Sequence, residues 1–394
     1  MDHVYTFTPT TVLNTRFNWN RKTELRRQWG DGTNFLSDLG FPSNIVSAAI
    51  RKMFPTISVS GYESFGYSSG RTQRFDNFQL FSSLNKFMGK HMLKIGADLR
   101  QQNYGRYQWG DGAGSYSFST DWIRGPYNNS SAPPMGGGVA SALLGLPTGG
   151  SFVAPPAQSS QNRYISLFVQ DDFRLNKDLT LNFGLRYERE LVPTERYNRI
   201  LRGFDPNVAS PISAAALAAY TASPIPEVPA SQFKTLGGLL FANDDNRSPF
   251  KTTTLNFSPR FGFAWKPAMM GGKTVLRGGF GVFFNPNEYG GTAIDQTGFT
   301  SSTPIVSTLD GGLTPVSTLA NIFPSGFLPA TGSSLGISQN LGQSASYYIP
   351  DVLNSYAERW NIDIQREIPW NMVVELGYEG NHGLHLPNSY SQNF

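Results

Sequence analysis

Apolar and polar side chains alternate along many segments, and this period of two is the feature that most restricts the fold. From Leu179 to Glu188, Leu, Leu, Phe, Leu and Tyr occupy every second position, and Thr, Asn, Gly, Arg and Glu occupy the others. Successive side chains of a β-strand point to opposite faces, so each such segment predicts a strand with one apolar and one polar face. The pattern recurs in segments that begin at Leu13, Lys90, Ser258, Thr274, Trp360 and Met372.

The connections between these strands distinguish a soluble sandwich from a membrane barrel. Short links at 86–90, 175–178, 267–273 and 368–371 alternate with long stretches at 121–161, 191–254 and 285–356, which are rich in Pro, Gly, Ser, Thr and Ala and are predicted to be irregular. Soluble domains rarely contain several structureless loops longer than about 15 residues. Outer-membrane barrels have short periplasmic turns and long extracellular loops. The pattern predicts an all-β, antiparallel transmembrane β-barrel, with ten or eleven strand candidates, about half of a 22-stranded barrel.

Composition excludes several other classes of protein. The chain has no cysteine, which excludes zinc-ribbon, thiol-redox and disulfide-framework sites. Charged residues make up 15% and the net charge is +4 without a long basic block, so nucleic-acid binding is not indicated. Mean hydropathy is −0.30, and no run approaches the roughly 18 apolar residues of a membrane helix. No export signal is visible at the N-terminus.

Aromatic residues near the ends of predicted strands fit the barrel. Interfacial girdles of Trp and Tyr lie where a barrel wall leaves the lipid. The simpler alternative is that aromatic residues favour strands in general. The residues in question are Trp19, Tyr187, Trp265, Phe284 and Tyr378.

An ordered series of motifs resembles one receptor family along nearly the whole chain. These motifs are FPTISVSGY, KHMLKIGADLR, ALLGLP, FVQDDFRL with LTLNFGLRYE, SPRFGFAWKP with LRGGFGVFF, and RWNIDIQREIP with YEGNHGLHLP. The series resembles the barrel of Oar-type TonB-dependent outer-membrane receptors, which carry a carboxypeptidase-regulatory-like domain. The resemblance implies that residues 1–394 are a partial barrel domain. The regulatory-like domain, the plug and the final strands would lie outside this chain.

The pentapeptide QWGDG occurs twice, at 28–32 and 108–112, and is the most specific local motif. Trp29 with Asp31, and Trp109 with Asp111, are candidate ligand-binding pairs, because an aromatic face beside a carboxylate suits a sugar. The alternative is a pair of Asp-Gly turns, each with an anchoring Trp, and turn chemistry favours this alternative.

A second candidate set consists of charged side chains predicted to face the barrel lumen. They would contact a plug and form cross-strand pairs, or set the ion preference of an open pore. The set comprises Lys94, Asp98, Arg100, Arg186, Glu188, Asp363, Glu375 and Glu379.

Catalytic and metal sites are not indicated by the sequence. Asp244 and Asp245 lack the ligand spacing of a calcium loop, and His382 and His385 have no third ligand. Asp171 and Asp172 point to opposite faces of a strand, which argues against a paired acid and base. No nucleophile elbow, Walker loop or HExxH motif is present. We therefore expect a protein that is not an enzyme and has no cofactor or metal.

Two functional hypotheses follow. By resemblance, the chain is part of an outer-membrane receptor that imports a scarce solute, either an oligosaccharide or a metal chelate, through a plug driven by the TonB complex. Its partners would be outer-membrane lipid, TonB and the solute, and no nucleic acid. The rival is a surface adhesion or structural barrel, or a secreted β-rich binding module, without transport.

Overall fold

The computed structural model describes residues 1–28, 30–66, 70–109, 111–125, 130–133, 135–285, 294–389 and 391. Within these ranges the strands are β1 Asp2–Thr8, β2 Thr11–Arg26, β3 Thr56–Val59, β4 Arg71–Met88, β5 His91–Gln108, β6 Ser115–Phe118, β7 Gly149–Ala154, β8 Gln158–Arg174, β9 Leu179–Glu195, β10 Leu201–Ala209, β11 Leu236–Phe241, β12 Asn256–Trp265, β13 Thr274–Phe284, β14 Ser301–Pro304, β15 Tyr356–Ile368 and β16 Met372–Leu384. The α-helices are α1 Phe35–Asp38, α2 Ser43–Ala48, α3 Gly137–Leu143 and α4 Ser213–Thr221. Short 3-10 helices cover Asp121–Ile123, Ala268–Met270 and Gly336–Ser338.

Ten strands form one antiparallel sheet in the order β1-β2-β4-β5-β8-β9-β12-β13-β15-β16. Tight turns join β1 to β2, β4 to β5, β8 to β9, β12 to β13 and β15 to β16, all at one end of the sheet. Gly89 supplies the positive φ that the turn between β4 and β5 requires. Long connections lie at the other end, which confirms the predicted alternation of short and long links.

The two faces of this sheet differ as the alternation predicts. Paired residues of an antiparallel sheet share a face, and one row joins Phe183, Phe261, Phe280 and Trp360 across four strands. These side chains are exposed, with 45% of Phe183 accessible. The opposite face buries polar groups, and Asp98 is only 2% exposed. A sheet that exposes its apolar face and covers its polar face requires an apolar surrounding.

The long connections contain a second folded body, which we call the cap module. It comprises α1, α2, α3 and a small sheet in the order β14-β7-β6-β3, in which β3 and β6 run parallel. Its core residues include Ile45, Trp109, Tyr116 and Ile322, and each is at most 1% exposed. The hydrophobic core of the chain therefore lies in its connections, whereas the large sheet has its apolar side chains outside.

The connection from 196 to 255 is folded as well. It holds the antiparallel pair β10 and β11 and the helix α4, with Ile200, Leu201 and Leu239 buried. The prediction that the stretches 121–161 and 191–254 are irregular is therefore wrong. Their elements are short, and they are stabilised by contacts with other connections, so local periodicity does not reveal them.

Two motifs of the receptor-like series also lie outside the ten-stranded sheet. FPTISVSGY contains β3, and ALLGLP begins in α3, so both belong to the cap module. No described helix is long and apolar enough to cross a membrane.

Candidate functional site

Four of the predicted inward charges meet at the centre of the polar face. The Arg100 Nη2 donates to Asp98 Oδ2 at 2.6 Å, and the Arg186 Nη2 lies 3.5 Å from the same oxygen. Gln79 donates to the other carboxylate oxygen at 2.9 Å. Asp98 is thus held by donors from β4, β5 and β9. Since a buried carboxylate is costly unless it is paired, these contacts stabilise its ionised form.

Tyr164 extends this cluster toward β9. Its hydroxyl donates to Glu188 Oε1 at 2.7 Å and accepts from Arg186 Nη2 at 2.9 Å. Arg186 also donates from Nε to Glu188 at 2.6 Å, and Arg100 lies 5.0 Å above the Tyr164 ring. We call Asp98, Arg100, Tyr164, Arg186 and Glu188 the central charge network.

Beside this network lies a basic groove of about 200 Å³. Lys94, Arg186 and Arg260 supply its cationic side chains, and Phe168 forms an apolar wall. The Phe168 ring lies against Gly96, where a Cβ atom would come within 2.5 Å of the ring, so only glycine permits this position. The groove therefore combines positive charge with an aromatic surface.

Three predicted acidic residues share the polar face but lie apart from the central charge network. Asp363 accepts a hydrogen bond from Asn361 at 2.8 Å, and it pairs in register with Arg277 and Gly377. Glu375 pairs with Gln365 and Glu379 with Asn361, all on β15 and β16. Basic groups thus dominate around the groove, and acidic groups dominate at the far edge of the sheet.

A larger cavity, which we call the mouth cavity, lies where the sheet meets the long connections. Its volume is about 380 Å³. Arg106 Nε and Gln296 Nε2 are buried there without a hydrogen-bond partner in the described part of the chain. Two such donors leave the cavity suited to a ligand with acceptor oxygens. The lining comprises Arg106, Gln108, Asp111, Val153, Pro155, Pro156, Gln158, Ile294 and Gln296.

The two QWGDG motifs have different surroundings. Trp29 lies outside the described residues. Asp31 forms a bidentate pair with Arg51 and lies 3.9 Å from Arg27. The Arg51 hydrogen bond lowers the pKa of the Asp31 carboxyl, and Asp31 in turn raises the pKa of Arg51.

Trp109 occupies a structural position. Its ring is 1% exposed in the core of the cap module, and Arg51 lies 4.3 Å from the ring centre. The ring has no accessible face for a sugar, so its burial favours the anchoring alternative over the ligand platform predicted for Trp109. Asp111 accepts from Thr56 at 2.9 Å and lines the mouth cavity, so it stays a candidate contact.

The remaining candidates are placed separately. Asp171 contacts His91 at 2.7 Å, whereas Asp172 accepts from Asn182 at 2.6 Å, so the two carboxylates do not act as a pair. Asp244 accepts from Asn198, and His382 lies 3.9 Å from Glu358. Among the described residues, no group of three or more His, Asp or Glu side chains could hold a metal.

Several contributors were absent from the predicted set. Tyr164 and Arg260 alternate with apolar residues in their strands, so the period of two could have placed them on the polar face. The alternation fades before Arg106, where Gln101, Asn103 and Gly105 occupy the alternate positions. Gln296 lies in the connection between β13 and β14, and no local pattern indicates that it reaches the mouth cavity.

Comparison with protein families decides the class of the chain. A family model for an outer membrane beta barrel domain matches residues 1–394. The chain belongs to this family. In the outer membrane beta barrel domain, the exposed apolar face is the lipid-facing surface, and the polar face lines the interior. The protein is therefore located in the outer membrane.

Solved structures of outer-membrane proteins align over most of the chain. The outer membrane transporter YddB from Escherichia coli has a TM-score of 0.47 and 12% identity, covering 96% of this chain and 32% of that chain. The ferric-catecholate import receptor Fiu from E. coli K12, in its closed form, has a TM-score of 0.35 and 9% identity, with coverages of 95% and 39%. FpvA of P. aeruginosa, in an iron complex with a heterologous pyoverdine, has a TM-score of 0.33 and 10% identity, with coverages of 96% and 35%. The chain spans about a third of the length of these structures. Among curated proteins, no match is found.

Proposed function

We propose that the chain forms part of the barrel wall of an Oar-like, TonB-dependent receptor that imports a scarce solute. The observation that carries this proposal is the polar interior, where the ordered central charge network lies next to the basic groove. Such fixed charges suit contact with a polar plug or a polar solute, because each ionised group keeps a specific partner. The ordered motif series that resembles this receptor family supports the same assignment.

The mouth cavity extends this interior toward the long connections. Arg106 Nε and Gln296 Nε2, which have no hydrogen-bond partner among the described residues, suit hydroxyl, carboxylate or chelate oxygens. Oligosaccharides and metal chelates both present such oxygens. In this proposal the solute is recognised at the mouth and passes along the polar face when a plug moves. The energy comes from the TonB complex, and the chain supplies no catalytic step.

The strands also extend beyond the membrane. β4 and β5 have 18 residues each, whereas about 9–11 residues cross a bilayer. The excess carries the mouth cavity and the cap module away from the lipid, where a dilute solute is first met.

Uptake by the intact protein in its native outer membrane tests the proposal. A radiolabelled oligosaccharide mixture and a ferric chelate are supplied to cells that carry or lack the gene, each with TonB intact or deleted. We expect uptake of one of the two probes, and this uptake should require both the gene for this protein and TonB. An Arg106→Gln variant should raise the half-saturation concentration, whereas Lys177→Gln, in a tight turn at the opposite end of the sheet, should not. Uptake that persists without TonB would contradict the proposal.

A surface adhesion role is the second candidate, and one observation favours it. The connections expose large apolar side chains, including Leu143 at 84%, together with Leu144, Leu309 and Leu313. Exposed apolar surface outside the lipid marks contact with a partner. Cell fractionation with a heat-modifiability gel separates a membrane barrel from a secreted module. Unchanged uptake together with loss of cell attachment in the deletion strain would favour adhesion.

A further inference from the structure

Arginine side chains collect on the lipid-facing side of the sheet, just above its apolar rows. Trp19 on β2 and Tyr187 on β9 lie on this face, and register places Arg21 and Arg189 two residues further toward the long connections. Arg74 on β4 and Arg163 on β8 lie on the same face, also in the parts of their strands nearer the long connections. This group, which we call the outer arginine cluster, comprises Arg21, Arg74, Arg163 and Arg189.

Two members share one carboxylate. The Arg21 Nε donates to Asp76 Oδ1 at 2.6 Å, and the Arg74 Nε donates to Asp76 Oδ2 at 2.6 Å. The Asp76 side chain is only 8% exposed, whereas both guanidinium groups are about half exposed. Asp76 thus fixes the two arginines through their Nε edges and offsets one of their two charges.

The other two members have no acidic partner within the described residues. Arg163 pairs in register with Gln101 on one side and Leu191 on the other, and Arg189 pairs with Ile165. Arg163 is exposed, and the Arg189 Nε is buried without a hydrogen-bond partner in the described part of the chain. Four arginines and one aspartate leave the cluster with a net charge of about +3, which favours an anionic neighbour.

We propose that the outer arginine cluster binds the phosphate groups of a phosphorylated lipid headgroup in the outer leaflet. The planar guanidinium group donates two parallel hydrogen bonds to a phosphate, and basic side chains at the interface attract anionic lipids. The apolar rows directly below the cluster receive the acyl chains of the same lipid. This combination of cations above an apolar wall fits a lipid and not a free phosphate ion.

Among the described lipid-facing positions near the long connections, arginines are confined to this sector of the sheet. At the corresponding end of β15 and β16, the lipid-facing residues are Glu358 and His382 instead of arginines. A general attraction to the membrane surface would not require this restriction. The proposed site therefore binds a lipid at one defined place on the sheet, against β2, β4, β5, β8 and β9.

Lipid binding to the intact, delipidated protein in mild detergent tests this inference. The probes are diphosphorylated lipid A, the same lipid A without its phosphates, and inorganic phosphate. The double variant Arg163→Gln, Arg189→Gln should bind diphosphorylated lipid A roughly thirtyfold more weakly, because each surface arginine contributes on the order of 1 kcal/mol. The control Arg366→Gln removes a guanidinium on the same face at the opposite end of β15 and should leave binding unchanged.

A second variant keeps the test valid if the double Gln variant does not fold. Arg163→Lys with Arg189→Lys retains both charges but loses the paired hydrogen bonds, and it should weaken binding by a smaller factor. Equal affinity of the Gln variant and the unaltered protein would overturn the proposal. Equal binding of phosphate-free lipid A, or displacement by inorganic phosphate at the lipid's own concentration, would also overturn it.

Discussion

Replacement of Trp109 by Ala tests the assignment of this residue to the core of the cap module. The ring is 1% exposed and lies directly against Gly70, where a Cβ atom would come within 1.9 Å of the indole nitrogen. Truncation of a buried Trp to Ala costs about 3–5 kcal/mol. The indole N–H has no hydrogen-bond partner in the described part of the chain, so its removal recovers roughly 1–2 kcal/mol.

The net cost is then about 1–4 kcal/mol, which raises the local opening of the cap module roughly 5- to 900-fold. Hydrogen exchange measures this opening at the amides of Ile50, Thr56 and Ser60, which donate to Gly112, Gly114 and Phe118. These amides should lose protection by that factor, whereas amides of β12 and β13 should not change. The control Trp370→Ala removes an exposed ring in a tight turn. Unchanged protection in the cap module would refute the core assignment, and loss of solute binding with normal protection would restore the platform hypothesis.

Two further predictions concern the ion pairs. Asp98→Asn should lower the free energy of unfolding of the intact protein by about 1–3 kcal/mol, because Arg100 and Arg186 lose a charged acceptor but stay partly hydrated. Urea titration of the refolding equilibrium in lipid vesicles measures this loss. An unchanged free energy of unfolding would contradict the prediction. The hydrogen bond from Arg51 lowers the pKa of Asp31 in the folded cap module below its ordinary value of 3.8. The ion pair therefore stabilises the cap module fully above about pH 4, and this stabilisation declines as the pH falls through the lowered pKa. Exchange protection of the cap should fall with acid in that window, and Asp31→Asn should remove this part of the decline; a variant with the same acid profile as the parent would exclude the pair as its cause.

The strands and their faces could be predicted because their signal is local. The pleat of a strand fixes opposite faces for neighbours such as Leu185 and Arg186, whatever the rest of the chain does. The order of short and long connections then places the turns at one end. The prediction that Asp98, Arg100, Arg186 and Glu188 share the inward face needed only this parity.

The cap module and the mouth cavity could not be predicted in this way. Trp109 shares its buried core with Ile45 and Ile322, which come from other connections, and no periodicity links them. The parallel pair of β3 and β6 likewise joins two different connections. Such contacts depend on the register of the large sheet, which sets the height at which each connection begins. Motifs in these segments were therefore interpreted as strands of the barrel or as irregular loops.

One face of the sheet meets lipid, and the other lines a polar interior. The chain has no cysteine, so single spin labels can be attached to the intact protein at positions 183, 184, 185 and 186 in turn. In outer-membrane lipid, oxygen, which concentrates in the bilayer, should relax the labels at 183 and 185 more strongly than a water-soluble nickel complex does. Labels at 184 and 186 should show lower access to oxygen. The absence of this alternation, or its reversal, would contradict the account.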